Sequence, residues 1–332
     1  MDAVSNVRPI AILAGYMATA ILLTSFCIAV IRVRWDATAG LSPAEHARRR
    51  TAISVFSILA AVSFGSTWYH MFRFFEWSYT QWAFSSVAEE LLTADPNGLH
   101  LGQWLRDTTL FKQAWASTLE TPPRAWWSMQ IFAFCAIWSV MLAAHSKKRC
   151  IPHMWAFMLL GQVVAISFAA NLSFLAFTVY NVTSPSKNAK PGAAKASQPD
   201  MLIAPPSSSP FWWPFILGAN ISIVSYIPDL FGHSSFLPVL MIPHILAFAP
   251  LLLNSLLPVH VPAPLVHESP MLSKVGAVAI LLFFATTKVY SEGGDLGLIL
   301  STLHQHPAVS SVGWDVICCW ASFAAWHFLG QE

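Results

Sequence analysis

Apolar positions along the chain are gathered into long runs, and polar positions into the breaks between them. Runs near 9–31, 52–75, 126–144, 153–180, 211–227, 235–257, 271–290 and 308–329 approach or exceed the roughly 20 residues that cross a bilayer as a helix. The pattern predicts an all-α, polytopic membrane bundle of eight transmembrane helices. The first run is read as a helix and not as a signal peptide, because Arg8 is its only early basic residue and no small-x-small cleavage site follows its long apolar stretch. One further segment has a different rhythm. At about 100° per residue, Leu101, Trp104, Thr108, Phe111 and Trp115 share a stripe. This predicts an amphipathic helix over 99–115 lying along the membrane interface.

Composition agrees with the pattern. Hydrophobic residues make up 55% of the chain and charged residues 10%, with a mean hydropathy of +0.55, where soluble domains are about one-quarter charged. A net charge of +2 over 332 residues implies no polyanionic partner, which sets nucleic acid aside and leaves membrane lipid as the surroundings. The expected location is therefore a cellular membrane as a multi-pass protein, the endoplasmic reticulum in the simplest case. The five cysteines, Cys27, Cys135, Cys150, Cys318 and Cys319, have no metal-ligand spacing. Basic residues at 32–50 and 145–151 assign those loops to the cytosol, which with eight crossings puts both termini on the other side. Lys187, Lys190 and Lys195 then fall in a non-cytosolic loop, against the rule. Residues 181–210 are rich in Pro, Ser, Ala and Lys and are expected to form a flexible linker. The chain thus divides into a four-span half over 1–180, the linker, and a second four-span half over 211–332. The Asn181-Val182-Thr183 sequon abuts a predicted helix end, and Trp104/Asp107 and Trp314/Asp315 do not amount to an internal repeat.

Acids at membrane depth are costly, by about 2.5–3.5 kcal/mol at the centre on insertion scales, so each one there asks for a role. Asp36, Glu45, Asp95, Glu120, Asp200, Glu268, Glu292 and Asp295 lie in polar stretches and read as solvated. Four acids remain as catalytic candidates: Asp107, Glu76, Asp315 and Asp229. Glu76 shares a 100° helical sector with Trp68, Tyr69, Phe72 and Tyr79, a wall of π-surface able to hold a cation or an aromatic belt at the interface. Asp107 borders the amphipathic stripe of Trp104, Phe111 and Trp115, where it serves either as an acid under a lid or as a cap or ion-pair partner. Asp315 follows Trp314 in the last run among small neighbours, Ser311, Cys318, Cys319 and Ser322, which suits a helix contact or a cavity wall. Asp229 follows Pro228 and suits a turn or N-cap as well as chemistry. His244, after Pro243 in mid-run, is a candidate pocket or relay residue. His304 and His306 have no third ligand at a recognisable spacing, so no metal site is expected. Pro214, Pro228, Pro238, Pro243 and Pro250 interrupt two runs, and such breaks are tolerated where backbone lines a cavity.

The eight runs, the Leu99-to-Trp115 element with Asp107, the Ala125-Trp126-Trp127-Ser128-Met129-Gln130 stretch and the Trp314-Asp315 final run resemble the fungal membrane-bound terpene cyclases of the ascofuranone and macrophorin type. The resemblance covers most of the chain outside 181–210. It implies cyclisation of a prenyl chain on a quinol, phenol or epoxycyclohexenone, begun by protonating a terminal epoxide or alkene. The residues are compatible with that chemistry. No DDxxD or NDxxDxxxD motif is present to hold Mg²⁺ and a diphosphate, and the DxDD motif of soluble protonating cyclases is missing too. Single membrane acids and aromatic rings remain, with no cofactor expected. A transporter or channel would instead need a continuous polar pathway, and a scaffold would need no cavity at all.

Overall fold

The computed structural model describes residues 6–38, 41–85, 98–180, 212–256 and 271–330, with Ala88, Glu89, Thr93 and Asp95 between them. Among these residues every regular element is helical. The helices are α1 (Val7–Arg32), α2 (Pro43–Ala83), α3 (Leu101–Asp107), α4 (Leu110–Ser117), α5 (Pro122–Arg149), α6 (Met154–Val163), α7 (Ile166–Val179) and α8 (Trp212–Tyr226). A 3₁₀ turn over Ile227–Leu230 extends α8, and α9 (Phe236–Leu246), α10 (Ala249–Ser255), α11 (Met271–Ser291), α12 (Leu296–Gln305) and α13 (Pro307–Leu329) follow. Six stretches are long and apolar enough to cross a membrane: α1, α2, α5, α9 with α10, α11, and α13. This is a multi-pass helical membrane protein. The helix α8 with its 3₁₀ extension is a shorter apolar stretch.

Local chemistry sets several of these ends. Ser42 and Glu45 form a reciprocal capping box, the Glu45 amide donating to Ser42 Oγ at 3.3 Å and the Ser42 amide to Glu45 Oε2 at 2.7 Å. Asp295 caps α12 by accepting from the Leu298 amide at 2.7 Å. The polytopic core is densest around α5, whose Trp138 is fully buried and donates its indole N–H to Ser173 Oγ at 3.0 Å.

The 153–180 run, expected to be one crossing, is instead a re-entrant pair. After Val164, whose amide still bonds to the Leu160 carbonyl, Ala165 leaves helical geometry and is fully extended at φ −164°, ψ 141°, and the chain doubles back. Both ends of the pair lie on the side where α1 ends: His153 packs on Phe26 with ring centroids 5.3 Å apart, Arg149 Nη1 donates to the Phe177 carbonyl at 2.7 Å, and the Tyr180 hydroxyl donates to Val30 O at 3.2 Å. Two left-handed residues outside glycine, Cys150 at φ 51° and His153 at φ 59°, make the sharp entry into α6. Gly161 lets the pair approach α5, since a Cβ there would sit 2.7 Å from the Trp138 ring.

This hairpin changes the topology expected from hydropathy. Arg48 Nη2 donates to Gly330 O at 2.7 Å, so α13 ends beside the 32–50 basic loop, whereas Asn6, at the start of α1, packs against Gly102 at the other end of the bundle. The two ends of the described chain therefore lie on opposite sides, not on one. Tyr180 ends the pair on the basic side; the expected linker 181–210, with Lys187, Lys190 and Lys195, lies outside the described residues. The expected 99–115 helix is also divided. Thr108 is extended at φ −102°, ψ 149°, with its hydroxyl bonded to the Trp104 carbonyl at 2.7 Å, and α3 and α4 are separate short helices.

Candidate active site

The break between α6 and α7 exposes the first amides of α7 inside an apolar interior, where unpartnered N–H groups cost several kcal/mol. Asp315, on α13, answers this. Its Oδ2 accepts from the Ile166 amide at 3.0 Å and its Oδ1 from the Ser167 amide at 2.8 Å, taking up two of the amides that the break leaves open. Its residue is only 9% exposed. The Ser167 hydroxyl borders the same carboxylate without a partner in good hydrogen-bond geometry. Beyond it, Asn171 Nδ2 donates to Ser167 O at 2.9 Å and to Ser63 Oγ at 3.3 Å, so a short polar track crosses from α13 through α7 to α2.

The hairpin tip and Asp315 close one wall of a cavity of about 170 Å³. Trp115 of α4, Phe132 and Cys135 of α5, Gln162 of α6, Pro243 and His244 of α9 and Val312 of α13 line the rest. The His244 ring is 5.4 Å from Phe132, nearly perpendicular to it, and 6.1 Å from Trp115. Trp115 is 39% exposed and stands at the cavity's rim. Gln162 is occupied, its amide directed at Cys135 Sγ at 3.1 Å and Met158 Sδ at 3.4 Å. A carboxyl group, an imidazole and two or more π-faces thus meet in a largely apolar space.

The other candidates lie elsewhere. Glu76 is exposed and paired with Arg73 at 2.7 Å. Its expected aromatic wall does not enclose it: Tyr69 and Phe72 point outward at 61% and 54% exposure, because that sector of α2 lies on the outside of the bundle. Phe72, Glu76, Tyr79 and Trp104 instead border an open groove of about 430 Å³ with Leu13 and Met17. Trp68 lies between the Phe64 and Phe72 rings. Asp107 ends α3, where Oδ1 accepts from Arg106 Nε at 2.9 Å and Oδ2 from the Trp82 indole at 3.2 Å; it is not among the residues lining the cavity. Trp104 is buried and donates to Ser78 Oγ at 3.3 Å, fastening α3 to α2, while Phe111 packs on Tyr16 at 5.4 Å. Asp229, in the 3₁₀ turn, is an exposed partner of Lys288 at 2.8 Å. Trp314 is partly exposed and turns away from the cavity that its neighbour lines.

Phe132, Cys135 and Gln162 were not singled out from the sequence. Gln162 had a signal, a polar residue inside an apolar run, as did Asn171 and Ser167; Phe132 and Cys135 had none. Among the described residues no group of three His, Cys, Asp or Glu side chains is placed to hold a metal ion. No protein-family model, curated protein or solved structure matches the chain.

Proposed function

We propose that this protein is a membrane-embedded, metal-independent terpene cyclase that starts its reaction by protonation, with Asp315 as the acid. The observation that carries the reading is one carboxyl group, buried at the tip of a re-entrant hairpin, opening on a cavity walled by Phe132, Trp115 and His244. The Asp315 proton goes to the terminal alkene carbon or epoxide oxygen of a prenyl chain. The positive charge then moves along the chain as rings close, and the aromatic faces stabilise it. At about 170 Å³ the cavity is below the roughly 300–1,000 Å³ of sites that enclose a whole drug-sized ligand. It holds the reacting end of the chain, and the phenol, quinol or epoxycyclohexenone end extends past Trp115 toward the lipid. The endoplasmic reticulum is the membrane proposed for this activity.

A second placement of the acid rests on its own observation. Asp107 accepts from the Trp82 indole beside Tyr79 and Trp104, so a carboxylate does stand in an aromatic cluster, although Arg106 neutralises it. Expression in microsomes with farnesylated or epoxidised phenols tests the reading. A cyclic isomer of unchanged mass supports it, and its absence across both substrate classes refutes it. Asp315→Asn and Asp107→Asn, compared at equal protein level, decide which carboxyl initiates.

A further inference from the structure

A proton-initiated cyclisation has to end by losing a proton, and the group that takes it decides whether the product is an alkene or an alcohol. We propose that His244 is the terminating base. This deepens the cyclase reading and rests on it. His244 Nδ1 lies 2.8 Å from the Leu240 carbonyl. A carbonyl oxygen can only accept, so Nδ1 carries the hydrogen and Nε2 is left with its lone pair. Nε2 has no hydrogen-bond partner among the described residues. The ring is held between Phe132 and Trp115 at the cavity wall, on a helix whose Pro243 fixes the local backbone.

Of the other polar side chains that line the cavity, Asp315, Gln162 and Ser128 each make hydrogen bonds elsewhere. Both Asp315 oxygens accept backbone amides, Gln162 is bonded to sulfur, and Ser128 donates to the Thr118 carbonyl at 2.8 Å. His244 is the neutral nitrogen base among the described lining residues. The step balances without an oxidant. A C–H bond next to the final cation breaks, its electron pair forms the product's C=C, and the proton moves to Nε2. Return of that proton to the Asp315 carboxylate after the product leaves completes a net isomerisation.

The test compares native protein, His244→Gln, His244→Phe and Asp315→Asn in microsomes at matched protein level, with substrate loss and product masses both recorded. Gln keeps a donor for the Leu240 carbonyl, and Phe keeps a ring between Phe132 and Trp115; neither is a base. The expected result is substrate consumption within about tenfold of native in both His244 variants. The native alkene should fall by about 100-fold or more, replaced by a product heavier by one water or by a shifted alkene. Asp315→Asn should consume substrate about 100-fold more slowly, or slower still. Native product at the native rate in either folded His244 variant overturns the proposal, as does complete loss of consumption in both. A native protein that consumes no substrate overturns the cyclase reading itself, a result distinct from either.

Discussion

Removing the Asp315 carboxylate should loosen the hairpin tip by an amount the hydrogen bonds define. Two α7 amides depend on it, at 3.0 and 2.8 Å. Alanine leaves both buried and unpartnered, which costs about 1–3 kcal/mol each, or roughly 2–6 kcal/mol together. Asparagine keeps one acceptor oxygen and turns its NH₂ toward the other amide, so about 1–3 kcal/mol is lost. At about 1.4 kcal/mol per factor of ten, hydrogen exchange at Ile166 and Ser167 should accelerate roughly 10- to 100-fold in Asp315→Asn, and further in Asp315→Ala. The remote α12 cap at Leu298 should keep its protection. Melting in detergent should follow the same order, native above Asn above Ala. Asp315→Asn should also lose about 100-fold or more of turnover, the usual range for a general acid. Unchanged exchange at Ile166 and Ser167 in the alanine variant would show that the carboxylate does not hold the tip, and the reasoning from the hairpin to the site would fail.

Three further outcomes follow from particular contacts. Gly161→Ala should lower stability by about 1–3 kcal/mol, because the added Cβ meets Trp138 at 2.7 Å and a fully buried ring has little room to yield; an unchanged melting temperature would contradict that packing. His306 caps α13 by accepting the Ala308 amide at Nδ1, 3.2 Å away, and burial, then the Arg124 charge, push its pKa down from 6.5 to about 4. The unfolded chain therefore binds this proton first: its contribution is fully present above pH 6.5 and lost as pH falls toward 4, at most about 3 kcal/mol and about half that after solvent screening. His306→Asn, which keeps a capping oxygen, should flatten the melting-temperature slope between pH 7 and 4, and an identical slope would exclude His306 as its source. In sealed microsomes a cysteine at Phe328, in a Cys150→Ser background, should label from the same face as native Cys150, and one at Val7 from the opposite face; labelling of both ends from one face would contradict the hairpin topology.

Much of the architecture was legible from hydropathy, and its largest error has a physical cause. A run such as 153–180 has the composition of a crossing helix, because a re-entrant pair and a crossing bury the same apolar side chains. The difference lies at Val164 and Ala165, which carry neither the glycine nor the proline that marks a break, and the turn is held from outside by Asp315. Helical periodicity likewise grouped Glu76 with Tyr69 and Phe72 correctly on one sector but could not say whether that sector faces lipid or a cavity. In a water-soluble protein an apolar face points inward; in a membrane both directions are apolar. Asp315 was legible because its neighbours Ser311, Cys318 and Ser322 are small, a signal of helix contact that holds in lipid. His244 was visible as a polar residue at depth, while its meeting with Phe132 and Trp115 depends on α9 packing near α4 and α5.

The same carboxylate thus satisfies the start of α7 and opens on the cavity, which couples the shape of the site to its chemistry. A half-helix ending inside the bundle needs an acceptor there, and on the proposed reading the acid that protonates the alkene must be buried; Asp315, on α13 against the hairpin tip, is placed for both. The coupling also constrains interpretation. A variant of Asp315 that loses activity is uninformative when only activity is read, because the cavity wall moves with the tip. The decisive comparison is therefore within the pair of readouts. If Asp315→Asn loses turnover by a factor far above its loss of folded protein, the carboxyl acts in chemistry. If the two fall together, Asp315 serves only as a helix cap, and the acid must be sought at Asp107.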